Sequence, residues 1–237
     1  MKGKFKLTIL ILFYLGGFAT VAEPAEQLKK ADSLFMAKKY TSAFDLYASA
    51  YSDGQASPAM LLKMAFIKEG LGDDTQALYY LNKYYSVTAD RAVLTKMQEL
   101  ANENQLSGYE VEDRHFFLNA LTKYHLVIQL TLVAIILLLT VVIIRSKPKG
   151  ELPIGVPVIQ ILLLAVLLTV SNKWLLPKQA IITEATFLMS APSAASEPIG
   201  HVQNGHLVEI IGRTEAWTCI KWEGKDVYVR HAKLRTL

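Results

Sequence analysis

Residues Ala31–Tyr51, ADSLFMAKKYTSAFDLYASAY, return 34 positions later as Ala65–Tyr85, AFIKEGLGDDTQALYYLNKYY. In that alignment Ala31 lies over Ala65, Ala43 over Ala77, Tyr47 over Leu81 and Ala50 over Tyr84. The apolar spacing is helical. Small residues at Ala31, Ala65, Ala43 and Ala77 let two helix backbones approach, and the aromatic and leucine positions fill the space between successive helical hairpins. Gly70, Gly72 and Asp73 supply the turn in the second unit, whereas Lys38 and Lys39 occupy it in the first. A third helix, DRAVLTKMQELANEN from Asp90, starts at the same phase and is expected to cap the stack. Two units and a cap are near the minimum for a stable repeat array. The alternative is a plain helical bundle with accidental spacing.

A 34-residue helix-turn-helix period resembles the tetratricopeptide repeat, here over residues 23–106. The family's consensus tryptophan is replaced by Gln27 and Leu61. The resemblance implies a concave groove, lined by the first helix of each unit, that binds extended peptides or partner surfaces. Carried onto this chain, the groove positions are Asp32, Phe35 and Met36, then Leu62, Phe66 and Glu69, then Lys96 and Leu100. Phe66 and Leu62 suit a core equally well.

Two apolar runs follow. YHLVIQLTLVAIILLLTVVII, residues 124–144, is long enough at 1.5 Å per residue to cross a hydrocarbon core of about 30 Å. IGVPVIQILLLAVLLTV from Ile154 continues to Asn172, ahead of the interfacial pair Lys173 and Trp174. Both are expected to be transmembrane helices, with a buried core helix as the alternative for either. The connector, residues 145–153, carries Arg145, Lys147 and Lys149 against Glu151, so the positive-inside rule makes it cytoplasmic. The segments before 123 and after 173 then lie on the far side. At the N-terminus, Lys2, Lys4 and Lys6 precede an apolar stretch and small residues up to Ala22, the pattern of an export signal over residues 1–22. An uncleaved anchor places Glu23 onward on the same side.

Charge excludes one class of function. Net charge is +3 over residues 1–22, −3 over 23–123, +3 over 124–177 and +1 over 178–237. The positive excess belongs to topology signals, and no outward segment has the basic field that a phosphate backbone requires, so nucleic acid is not expected as a partner.

After Pro177 the periodicity falls to two. HLVEIIG, WTCIKW and DVYVR are short β-rich runs separated by Asn204-Gly205, by Gly212–Ala216 and by Glu223-Gly224, the last read as a tight hairpin. About five strands over residues 178–237 predict a small all-β barrel. Here the sequence resembles the bacterial SH3-like domain. Ser190, Pro192 and Ser193 match the opening motif with Met189 in place of its arginine, Trp217 and Ile220 match one strand, and Val227, Tyr228 and Val229 match another. Trp217, Trp222 and Tyr228 are the candidate aromatic surface, although alternation puts Trp217 and Trp222 on opposite faces of one strand. Cys219, the one cysteine, cannot form an internal disulfide, and a small strand residue is its simplest reading. His201, His206 and His231 lack ligand spacing, so no metal and no cofactor are expected.

The fold class that follows is a multidomain membrane protein: an all-α repeat stack, a linker at 107–123, a two-helix transmembrane hairpin (124–144 and 154–172) and a small β barrel. This order resembles the BatE-type family of the bacterial aerotolerance operon. The resemblance implies an inner-membrane component of an envelope complex related to aerotolerance or stress, with both soluble domains in the periplasm and sister operon membrane proteins as partners besides membrane lipid. Two functions compete. One is a non-catalytic scaffold binding protein or peptide through the repeats; the other is a cell-wall-binding or sensory module in which the barrel meets peptidoglycan. No acid/base pair or activated nucleophile is visible, so no catalytic residue is assigned and no enzyme is expected. Nine residues of cytoplasmic turn are too few for a signalling domain, which favours the scaffold.

Overall fold

The structure is a computed structural model that describes residues 22–110, 124–146, 155–171 and 178–237. The expected export signal up to residue 21, the linker beyond residue 110, the connector from residue 147 and the interfacial pair Lys173 and Trp174 lie outside the described residues, while Ala22 belongs to the first helix and Arg145 and Ser146 to the first apolar helix. What is described combines seven α-helices with one seven-stranded antiparallel sheet.

The first five helices are α1 Ala22–Met36, α2 Tyr40–Ser52, α3 Pro58–Gly70, α4 Asp74–Thr88 and α5 Arg91–Glu103. Their starts are chemically marked. Ser57 accepts the Met60 N–H ahead of Pro58, Asp73 accepts that of Gln76, and Asp90 that of Ala92, each satisfying an otherwise orphan donor. The turn between α3 and α4 uses Gly72 at φ +74°. In the corresponding turn between α1 and α2, Lys38 takes φ +59° without being glycine, so a left-handed residue is needed at both places. α1 packs on α2, and α3 on α4. Ala31, Ala43 and Ala77 are fully buried and Ala65 nearly so, as close backbone approach requires.

α6 His125–Ser146 and α7 Gly155–Ser171 pack side by side. Gln160 donates to Thr140 Oγ1 at 2.8 Å and Gln129 to Ser171 Oγ at 3.2 Å, so the start of each helix lies beside the end of the other. α6 is long and apolar enough to cross a membrane, and none of its apolar window is buried. α7 is 17 residues, short of the same length. Most of the leucines and isoleucines of both helices are exposed, while Ile136 of α6 is buried.

The strands are β1 Lys178–Ile182, β2 Thr186–Met189, β3 Pro198–Val202, β4 Leu207–Arg213, β5 Trp217–Trp222, β6 Lys225–Arg230 and β7 Leu234–Thr236, in the order β3-β2-β6-β5-β4-β1-β7. Seven strands replace the expected five, because the sequence around β1, β3 and β7 has little alternation and takes its strand form from pairing with β4, β2 and β1. Glu223 and Gly224, both at positive φ, close the two-residue β5–β6 hairpin. Ile182, Ile220, Val227 and Val229 form the centre of the β core.

Helices and sheet are docked. Ile181 of β1, wholly buried, belongs to the helical core rather than to the β core. Leu207 donates its backbone N–H to the Ser107 carbonyl at 3.1 Å, and Ser107 N–H donates to Nδ1 of His206 at 2.9 Å. The Tyr109 hydroxyl donates to the Gly205 carbonyl at 2.7 Å, and the Asn204 amide to Thr75 Oγ1 at 2.7 Å. The Arg235 guanidinium covers Tyr79 and Tyr80 of α4. Nothing in the sequence pattern points to this joint, whose bonded partners stand up to 129 residues apart.

Candidate functional site

Helices α1, α3 and α5 are tied side to side by two ion pairs. Lys63 Nζ of α3 lies 2.6 Å from Asp32 Oδ1 of α1, and Lys96 Nζ of α5 lies 2.7 Å from Glu69 Oε1 of α3. Asp32 also accepts from the hydroxyl of Tyr47, a residue with no exposed surface, at 2.5 Å. Burial pushes the Asp32 carboxyl upward, but the hydrogen bonds from Lys63 and Tyr47 and the Lys63 charge outweigh it and hold the group below its ordinary value. Lys96 is held above its ordinary value, chiefly by its hydrogen bond to Glu69.

Between the ion pairs sits an aromatic cluster. Phe35, Tyr40 and Phe66 pack edge to face with ring centroids 5.5, 5.8 and 5.9 Å apart. Such geometry sets the positive edge of one ring against the negative face of the next. The Lys63 ammonium lies 5.6 Å from the Phe35 centroid. Phe66 is 54% exposed, Leu62 one turn earlier on α3 is 43% exposed, and Met36 is 80% exposed. Asp32, Phe35 and Phe66 are linked through Lys63 and ring contacts, the Glu69–Lys96 pair follows one turn beyond Phe66 on α3, and Leu62 and Met36 stand open on the same helices. Tyr40 and Lys63 complete the cluster and were not among the groove positions expected from the sequence; the helical phase of Lys63 beside Leu62 carries no signal for a cross-helix contact.

Leu100 is a correction. It is 3% exposed and belongs to the helical core. The buried stripe of α5 is Val93, Met97, Leu100 and Ala101, spaced at intervals of four, three and one, so Leu100 turns onto α4 while Lys96 remains at the stripe's edge.

On the sheet, Trp217, Trp222 and Tyr228 do not form one surface. Trp222 packs against the β core and meets the His206 ring edge-on at 5.0 Å, inside the joint. Trp217 is paired across the hairpin with Arg230, whose guanidinium lies 5.4 Å from its ring, and Cys219 stands opposite Tyr228. Thr218 Oγ1 is bonded to Nδ1 of His231 at 2.5 Å, so that imidazole turns to the threonine rather than to Cys219. Among the described residues, no group of three His, Cys, Asp or Glu side chains is arranged to hold a metal ion.

A cleft of about 260 Å³ opens between the helices and the sheet domain, lined by Asp73, Asp74, Thr75, Asn104, Gln203 and Asn204. Its polar groups are largely spent on one another: Asn104 donates to Asp74 at 3.0 Å and Asn204 to Thr75. The exposed aromatic face, in contrast, has apolar area without a covering partner among the described residues. Set against family models, curated proteins and solved structures, the chain matches none.

Proposed function

We propose that the protein is a membrane-anchored, non-catalytic interaction scaffold, in which tetratricopeptide-like repeats bind a protein or peptide partner on the face of Asp32, Phe35, Met36, Leu62, Phe66, Glu69 and Lys96. In this reading α6 and α7 are a transmembrane hairpin, the barrel is SH3-like, and repeats and barrel lie together outside the cytoplasm, as in an envelope complex of the aerotolerance type. The observation that carries it is the half-exposed ring cluster of Phe35, Tyr40 and Phe66 bounded by the Asp32–Lys63 and Glu69–Lys96 pairs. An aromatic anchor inside a charged rim is the usual anatomy of a binding surface.

Topology draws support from the joint. Ser107 precedes the two apolar helices and Leu207 follows them, yet the two are bonded directly. That bond forms only when both lie on one side of a membrane, which requires the intervening chain to cross an even number of times. The peptidoglycan alternative has less to stand on, since Trp222 is turned into the joint.

The experiment is affinity purification of the full chain from solubilised membranes, with bound proteins identified by mass spectrometry. A partner retained by the intact protein and lost in Phe66→Ser, with helical content unchanged, is expected. A partner retained by Phe66→Ser and lost on removing residues 178–237 would move the function to the barrel.

A further inference from the structure

We propose that the joint between the helical repeats and the barrel is a proton-sensitive latch in which His206 is the switch: docked when its imidazole is neutral, released when it is protonated. The claim is independent of which partner the repeats bind.

The geometry fixes the protonation state. Nδ1 of His206 accepts the Ser107 backbone N–H at 2.9 Å, so this nitrogen carries a lone pair and no proton in the docked form. Adding a proton sets a second N–H against the first, and an acceptor becomes a donor facing a donor. The ring has little freedom to turn away. It is 9% exposed and lies edge-on against Trp222. Its own backbone carbonyl accepts from Ile182 at 3.0 Å, and the flanking Gly205 carbonyl and Leu207 N–H are bonded to Tyr109 and Ser107. Protonation therefore acts on a rigid strip in which three consecutive residues hold the barrel to the 106–109 segment.

Surroundings reinforce this. The charged groups on the packed elements are Glu110 on the linker, Lys178 on β1, Asp73, Asp74 and Lys83 on α4, Glu209 and Arg213 on β4, and Lys221, Glu223, Lys225, Asp226 and Arg230 on the β5–β6 hairpin. Glu110 is engaged by the Gly108 N–H at 3.1 Å, and Lys221 by Asp226 at 3.4 Å. Burial is what holds the His206 imidazole below its ordinary value of 6.5. The docked form thus binds fewer protons than the undocked form. Docking is at full strength above the ordinary imidazole value and weakens as pH falls below it, until the depressed docked value is passed. Undocking bares Tyr79 and Tyr80 of α4, which Arg235 otherwise covers, and Ile181 of β1, which is otherwise buried in the helical core.

The test uses the full chain in lipid nanodiscs, with Cys219→Ser and nitroxide labels at Asp45→Cys and Glu215→Cys, both exposed positions. Electron–electron distances should show one docked population at pH 8 and an undocked fraction that grows by up to about tenfold per pH unit below about 6.5. His206→Asn, whose Oδ1 accepts a hydrogen bond but does not titrate, should stay docked to pH 5. Tyr109→Phe should raise the undocked fraction by one constant factor at every pH. A distance distribution unchanged from pH 8 to pH 5 overturns the latch, as does a pH response surviving in His206→Asn. Hydrogen exchange of the unaltered protein gives a second reading: the Ser107 amide should lose protection on acidification while Ile220 and Val229 keep theirs, and protection that persists at Ser107 also overturns it.

Discussion

The Arg235 guanidinium of β7 lies 3.9 Å from the ring centroid of Tyr79 in α4, with the Tyr80 ring 5.6 Å away. A planar cation over an aromatic face is attracted by the ring quadrupole, by roughly 0.5–2 kcal/mol depending on desolvation. Both tyrosines are under 7% exposed, so this stack sits at the desolvated end of the range. Arg235→Ala should loosen the joint by about 1–2 kcal/mol, seen as faster hydrogen exchange at Ser107 and Leu207. Arg235→Lys keeps the charge but not the plane, and should recover only part of the loss. Unaltered exchange in both variants would show that the stack is incidental to docking.

Gly108 tests the same joint by sterics. Its φ is +94°, and a Cβ added there would lie 2.0 Å from the Leu207 carbonyl oxygen. Gly54, at φ +82°, would meet nothing within 4 Å. Gly108→Ala should therefore undock the sheet domain while both folded units survive, whereas Gly54→Ala should cost only the backbone strain of about 1–2 kcal/mol. Equal effects of the two on labelled-distance distributions would mean that the backbone at 108 yields without strain on the joint.

Tyr47 and Asp32 offer a polar counterpart. Asp32→Ala strands the Tyr47 hydroxyl beneath the α1–α3 contact and should destabilise the repeats by about 1–3 kcal/mol in thermal unfolding. Because the Asp32 carboxyl is held below its ordinary value of 3.8, its contribution is complete above that value and disappears as pH falls through the lowered one. Asp32→Ala should accordingly lose the part of the acid destabilisation that belongs to this group. An identical acid limb in both proteins would contradict the assignment.

Much of the helical part was readable because close packing is written in residue size. Ala43 and Ala77, aligned at 34 residues, are both without exposed surface, and no larger side chain fits where two backbones meet. The β5–β6 hairpin was readable from Glu223-Gly224 for a related reason: two successive positive-φ residues are a local demand. What was not readable is long-range. The Ser107–His206 bond has partners 99 residues apart, and neither carries a local pattern that names the other. Leu100 was misplaced because the tetratricopeptide resemblance put it in the open groove with Lys96, while its membership of the Val93–Met97–Ala101 stripe decided its burial. Tyr40 of α2 and Lys63 of α3 join the site only through contacts across helices, with Phe66 and Asp32.

The joint also sharpens the topology. With Cys219→Ser as background, a cysteine at Ser146, at the end of α6, should resist an impermeant thiol reagent in intact spheroplasts, while one at the exposed Ser193 should react. Reversed labelling would invert the membrane orientation, and labelling of both positions would remove the single crossing between them.

The Glu69–Lys96 pair separates a partner-reading role from a structural one. Each side chain is more than one third exposed or close to it, so the pair is worth about 0.2–1 kcal/mol and its loss should leave the fold intact. Glu69→Lys sets two ammonium groups together and Lys96→Glu two carboxylates; either should abolish co-purification of the partner if that partner meets this rim, because rim charges govern encounter and specificity. The double exchange, Glu69→Lys with Lys96→Glu, rebuilds the ion pair in reversed order across α3 and α5. A partner that reads the charge pattern should still be lost, whereas one that needs only α5 held against α3 should return. We expect loss in all three variants, with helical circular dichroism unchanged. Return of the partner in the double exchange would reduce the pair to a strut, and retention in every variant would place the binding face elsewhere on the molecule.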